Sequence, residues 1–108
     1  MIALVADNLD AVKALGQRYQ VRRLQLFGSA ASGAYDARTS DLDFLVDLGE
    51  YDVTAVDRFL GLADALEALF ERPVDLITVR SVKSPLFRAA IEKDLVTIYE
   101  SIGSQNAA

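Results

Sequence analysis

Apolar residues recur along this chain with two different periods, and the switches between them mark out its elements. Val5, Leu9, Val12, Leu15 and Tyr19 fall at helical spacing, so the N-terminal segment is expected to be one amphipathic helix. Residues 22–27 then alternate and predict a strand. Residues 28–40 are rich in Gly, Ser and Ala and read as a loop with room for a short helical turn. Leu42, Phe44, Val46 and Leu48 alternate with Asp41, Asp43, Leu45 and Asp47, which predicts a second strand. Between residues 53 and 70, Val56, Phe59, Leu60, Ala63, Leu66 and Phe70 form a helical stripe. Residues 73–79 read as a third strand, with Pro73 tolerable at its first position. Ser84-Pro85 has the form of an N-cap followed by proline at the first helical position, and Leu86, Phe87, Ala90 and Ile91 continue as a short helix. Residues 95–99 supply a last short strand. The order α-β-turn-β-α-β-α-β predicts an α/β or α+β layer protein, with helices packed on a sheet.

Composition narrows the chemistry. A chain of 108 residues fits one domain, expected over residues 1–100, with residues 101–108 reading as a loose tail. Hydrophobic residues make up 52% of the chain, enough to bury a core. Cysteine and histidine are both absent. Disulfides, zinc–thiolate sites and thiol nucleophiles are thereby excluded, together with the commonest general base. A metal would have to be held by oxygen, which points to Mg²⁺, Mn²⁺ or Ca²⁺. The net charge of −5 disfavours non-specific binding to nucleic acid or anionic membranes. The N-terminus lacks the basic segment of a signal peptide, and no apolar run approaches the ~20 residues of a membrane span, so a cytoplasmic location is expected. Mean hydropathy is +0.21, an excess that either fills the core or leaves an apolar patch for a partner; core filling is the simpler expectation.

Asp41 and Asp43 open the second strand. Side chains two apart share a strand face, about 6.6 Å from one another along it, while Leu42 and Phe44 take the other face. Two carboxylates so held can converge on divalent cations, and Mg²⁺ is bound by one or two carboxylates together with substrate phosphates. Asp75 interrupts the apolar run Val74-Asp75-Leu76-Ile77, where a charge is costly unless paired or metal-bound. It is the candidate third acid, holding the metal and drawing the proton from an acceptor hydroxyl. Each Asp taken singly also fits a solvated strand edge or a turn cap, and Asp47 and Glu50 read as ordinary solvent-facing acids. Phe27-Gly28-Ser29 ends the first strand; the glycine lets the backbone approach a phosphate, and the following turn would aim N–H groups at it. Lys83 and Arg88 read as solvated charges rather than phosphate-steering groups, and Tyr19, Tyr35, Tyr51 and Tyr99 as core or rim residues.

Taken together, residues 26–33 (Leu-Phe-Gly-Ser-Ala-Ala-Ser-Gly) and 40–46 (Ser-Asp-Leu-Asp-Phe-Leu-Val) resemble the signature of the DNA polymerase β-type nucleotidyltransferases. The short length and the C-terminal stretch 88–100 resemble the minimal nucleotidyltransferase (MNT) antitoxins in particular. The resemblance implies the nucleotidyltransferase fold, a mixed sheet of about four strands carrying helices. It implies a two-metal Mg²⁺ site on Asp41, Asp43 and Asp75, with Gly28, Ser29 and Ser40 at the nucleotide. It also implies a partner, a HEPN-domain ribonuclease toxin, neutralised by transfer of AMP from ATP onto a tyrosine. One departure is visible: the family usually carries Arg just before the second glycine, where this chain has Ser32, and Arg38 or another cation would have to replace it. The alternatives are an antitoxin that acts by binding alone and a small-molecule nucleotidyltransferase, although the latter carry an additional domain that this chain lacks.

Overall fold

The computed structural model describes residues 1–101; the expected tail beyond Ser101 lies outside the described residues. The chain runs α1 (Ala3–Ala6), α2 (Leu9–Arg18), β1 (Arg23–Phe27), α3 (Gly28–Ser32), β2 (Leu42–Asp47), α4 (Ala55–Phe70), β3 (Val74–Thr78), a 3₁₀ turn (Val79–Ser81), α5 (Pro85–Glu92) and β4 (Val96–Glu100). The strands form one mixed sheet in the order β3-β2-β1-β4. β1 pairs antiparallel with both β2 and β4, whereas β2 and β3 are parallel, and α4 makes the crossover that a parallel pair requires.

The two faces of the sheet have different fates. Leu24, Leu26, Leu42, Phe44, Val46 and Ile98 point into the main core, where they meet Val5 and Val12 from the N-terminal helices and Leu62, Leu66 and Phe70 from α4. The rings of Phe44 and Phe70 stack there at 6.2 Å. The opposite face holds a smaller cluster of Phe27, Leu45, Val82 and Ile91, under the 3₁₀ turn and α5. Strand β2 serves both faces: Phe44 and Val46 enter the main core, Leu45 enters the small cluster, and Asp43 shares Leu45's face.

Local chemistry sets the ends of the elements. Ser84 caps α5 by accepting a hydrogen bond from the Phe87 N–H at 3.4 Å, with Pro85 in the first turn as its sequence predicts. The expected single N-terminal helix is instead two. Its periodicity continues across the break, but the chain turns at Asp7 and Asn8, and the Asn8 side-chain amide donates to the Leu4 carbonyl at 2.8 Å, a local competitor to the helical ladder. The α4 stripe also differs from expectation. Ala55, Leu62, Leu66 and Phe70 are buried, while Val56 is 68% and Leu60 55% exposed, so the face turned to the core is not the expected stripe throughout. The four tyrosines pack half-buried against the main core, as expected.

Candidate active site

The chemistry-bearing residues gather where β1 ends and β2 and β3 begin. Phe27, the last residue of β1, pairs with Asp43 on β2, and Asp43 pairs with Asp75 on β3. Neighbouring strands lie about 4.8 Å apart, so the in-register Asp43 and Asp75 stand side by side on one face. Asp41 precedes β2 by one residue and lies on the same face as Asp43 by the alternation of the strand. The three acids are thus brought to one corner of the sheet from positions 34 residues apart in the chain, counting 75 − 41.

Their environments are unequal. Asp43 is half-buried, and Asp41 and Asp75 are exposed. Burial, reinforced by the neighbouring charges of Asp75 and then Asp41, pushes the Asp43 carboxyl up from 3.8 to about 6. Asp75 corrects an expectation. It was read as a charge inside an apolar strand, but β3 is the outer strand of the sheet and Asp75 is exposed on it. Asp47 corrects another: its side chain is only 14% exposed and lies 3.9 Å from both Arg22 and Arg23, while accepting the Gly49 N–H at 2.8 Å.

Gly28 and Ser29 open α3 directly after β1. Gly28 has φ +70°, and a Cβ at this position would collide with Oδ2 of Asp43. The glycine is therefore required both by its left-handed backbone and by the close approach of the carboxylate. Among the described residues the Ser29 hydroxyl has no hydrogen-bond partner, and the first N–H groups of α3 have no intrahelical acceptor. Ser40 is occupied within its own loop: its hydroxyl accepts the Asp36 N–H at 3.1 Å, and its N–H donates to the Asp36 carbonyl at 2.8 Å. Ser32 closes the C-terminal end of α3, donating to the Ser29 carbonyl and accepting from the Ala34 N–H. Arg38 is 88% exposed and turned onto Asp36, whose carboxyl its hydrogen bonds hold below the usual range. Arg88 donates to the Val82 carbonyl at 3.0 Å and anchors α5, and Lys83 is exposed.

The donor set fits a hard divalent cation, being all carboxylate oxygen with mutual repulsion that a cation would relieve. Among the described residues no three acids are drawn closely enough to enclose an ion on their own. A cation here would take its remaining ligands from water and phosphate, the usual habit of Mg²⁺.

Such a corner, with paired strand carboxylates facing a glycine-opened helix, suits phosphoryl transfer from a metal-bound nucleotide. The sequence profile of the nucleotidyltransferase domain matches residues 10–98, and the chain belongs to that family. A protein adenylyltransferase, MntA, of Thermococcus cleftensis is 35% identical over 98 residues, covering 86% of this chain and 96% of that one. A solved minimal nucleotidyltransferase shares 29% identity at a TM-score of 0.71, over 88% of this chain and 95% of its own. An MNT antitoxin solved in complex with a tri-AMPylated Shewanella oneidensis HEPN toxin has the same fold, with 18% identity, a TM-score of 0.62, and coverage of 94% and 77%. No helix among the described residues is long and apolar enough to cross a membrane.

One pairing escaped the sequence reading, that of Tyr35, read only as a core or rim residue, with Arg72. Arg72 Nη1 donates to the Tyr35 hydroxyl at 3.0 Å across 37 residues of chain. Neither periodicity nor motif marks such a pair.

Proposed function

We propose that this protein transfers AMP from Mg²⁺-ATP to a tyrosine hydroxyl of a HEPN-type ribonuclease toxin and so neutralises it. The observation that carries the reading is the register Phe27–Asp43–Asp75, which sets two carboxylates side by side against the glycine that opens α3. The relatives' names support a protein acceptor: one is named a protein adenylyltransferase, and one neighbour sits in complex with an AMPylated toxin.

In this reading Gly28, Ser29 and the opening N–H groups of α3 bind the triphosphate, while Ser40 shapes the loop that delivers Asp41. Asp41, Asp43 and Asp75 would hold Mg²⁺, two ions by the family pattern, which when bound supply charge neutralisation to the phosphates. The acceptor oxygen forms its bond to the α-phosphorus, the bond from that phosphorus to the β-phosphate oxygen breaks, and pyrophosphate leaves. The acceptor proton passes to Asp75, whose exposure lets it return the proton to water. The half-burial of Asp43 beside two other acids keeps it costly as a free anion, so a cation binds where charge is most needed. Ser32 leaves the phosphate loop one cation short of the family pattern, and Arg38, turned onto Asp36, does not restore it.

The test is transfer from ATP labelled at the α-phosphate to the protein encoded beside this gene. Wild type is expected to label that neighbour and Asp41→Asn/Asp43→Asn to leave it unlabelled. A second reading, neutralisation by contact alone, draws on the exposed Val53, Val56, Leu60, Leu86 and Phe87, which leave apolar surface for a protein partner. Full neutralisation by the double variant would establish that reading and remove the first.

A further inference from the structure

We propose that Arg72 and Tyr35 form a strap that sets the position of the Asp41 loop, making both of them positioning residues for the transfer; the proposal rests on the reading above. The segment between α3 and β2, residues 33–41, carries Ser40 and Asp41 and is mostly exposed. Its internal bonds, from Asp36 to Ser40 and to Arg38, hold its shape but tie it to nothing outside. Among the described residues, apart from the Ala34 N–H bond to the Ser32 hydroxyl where the segment leaves α3, the one side-chain hydrogen bond from this segment to the body of the protein is that of the Tyr35 hydroxyl with Arg72. The Tyr35 ring is half-buried against the main core, and the Arg72 guanidinium lies 6.0 Å from its centroid.

The other end of the strap is firmly held. Arg72 occupies the turn between α4 and β3, three residues before Asp75. That turn is fixed on both sides: Glu67 of α4 accepts the Val74 N–H at 3.1 Å, and the Pro73 carbonyl accepts the Leu42 N–H at 3.2 Å. The strap therefore links the loop bearing Asp41 to the turn leading into Asp75, the two acids that reach the site from different segments. Asp43 needs no such device, since it sits within β2 and is held by pairing on both sides. Arg72 also keeps its Nε buried without a partner, a cost that a surface arginine would escape by turning outward. The side chain stays inward on Tyr35 in spite of it.

Two measurements on the full chain test the strap. Trypsin should cut after the exposed Arg38, and the rate of that cut reports the freedom of the segment. Tyr35→Phe keeps the ring in the core and removes only the hydroxyl. It should be cut at least about tenfold faster than wild type, the scale of one lost hydrogen bond to a charged donor. In AMP transfer it should need several-fold more Mg²⁺ for half-saturation, with kcat at saturating Mg²⁺ close to wild type. Arg72→Met should behave likewise, Arg72→Lys should recover part of the loss, and the Tyr35→Phe/Arg72→Met double variant should be no worse than the poorer single variant, because the two share one interaction. Unchanged cleavage in Tyr35→Phe overturns the strap. Faster cleavage with an unchanged Mg²⁺ requirement overturns its positioning role. If wild type itself transfers no AMP, the transfer reading fails, and the cleavage rates alone decide whether the strap holds the loop.

Discussion

The two faces of β2 carry opposite burdens. On one, Leu42, Phe44 and Val46 are fully buried in a continuous apolar core. On the other, Asp43 stands half-buried beside two further acids, with Leu45 behind it in a cluster of four buried residues. The first face gains stability from every side chain, and the second retains a carboxylate whose ionisation the fold resists. One six-residue strand thus separates folding from chemistry by the two-residue alternation alone. Destabilising groups persist at functional sites because activity needs them, and stability is supplied elsewhere.

The contrast can be broken at several points. Phe44→Ala should be the most damaging to the fold, costing about 3–5 kcal/mol in urea denaturation, since the side chain is fully enclosed and stacked on Phe70. Leu45→Ala, on the shallower face, should cost nearer ~2 kcal/mol. Equal losses would show that the small cluster is as much a core as the large one. Gly28→Ala should cost about 1–3 kcal/mol through its left-handed backbone, and it should also remove transfer by displacing Asp43. Normal transfer by that variant would detach the glycine from the site.

The smallest effect concerns pH and sharpens the comparison most. The Asp43 pKa is raised in the folded state, so between its ordinary 3.8 and about 6 the native protein binds the extra proton. Stability from this group therefore falls as pH rises through that window and is fully lost above it. Asp43→Asn, which cannot ionise, should gain on wild type from about pH 4 to pH 6. The gain above that should be about 1 kcal/mol once solvent screening of a half-exposed carboxylate is allowed for. A flat difference between the two melting curves across this range would show that the three acids do not strain the fold.

Much of this was legible in the sequence, for reasons that differ by element. Strand β2 is visible because alternation places Leu42, Phe44 and Val46 on one side, and the start of α5 because Ser84-Pro85 has a local capping mechanism. Asp41, Asp43, Gly28 and Ser29 were found as a motif, and the fold does bring them to one corner. What was not legible depends on strand order and on distant contacts. The exposure of Asp75 follows from β3 being the outer strand, which no local pattern states. The exposure of Val56 and Leu60 depends on which side of α4 meets the core, which the stripe alone does not state. The withdrawal of Asp47 from solvent requires Arg22 and Arg23, 25 and 24 residues earlier, taking 47 − 22 and 47 − 23. The pairing of Tyr35 with Arg72 is longer still.

The claim that one sheet face holds the fold while the other holds the chemistry is tested most directly by Asp43→Asn, with its melting temperature and its AMP transfer measured on the same preparation at pH 7. A melting temperature at or above wild type, with transfer reduced by at least ~10³-fold, is the predicted result. A fall in melting temperature, or transfer retained at the wild-type rate, would contradict it.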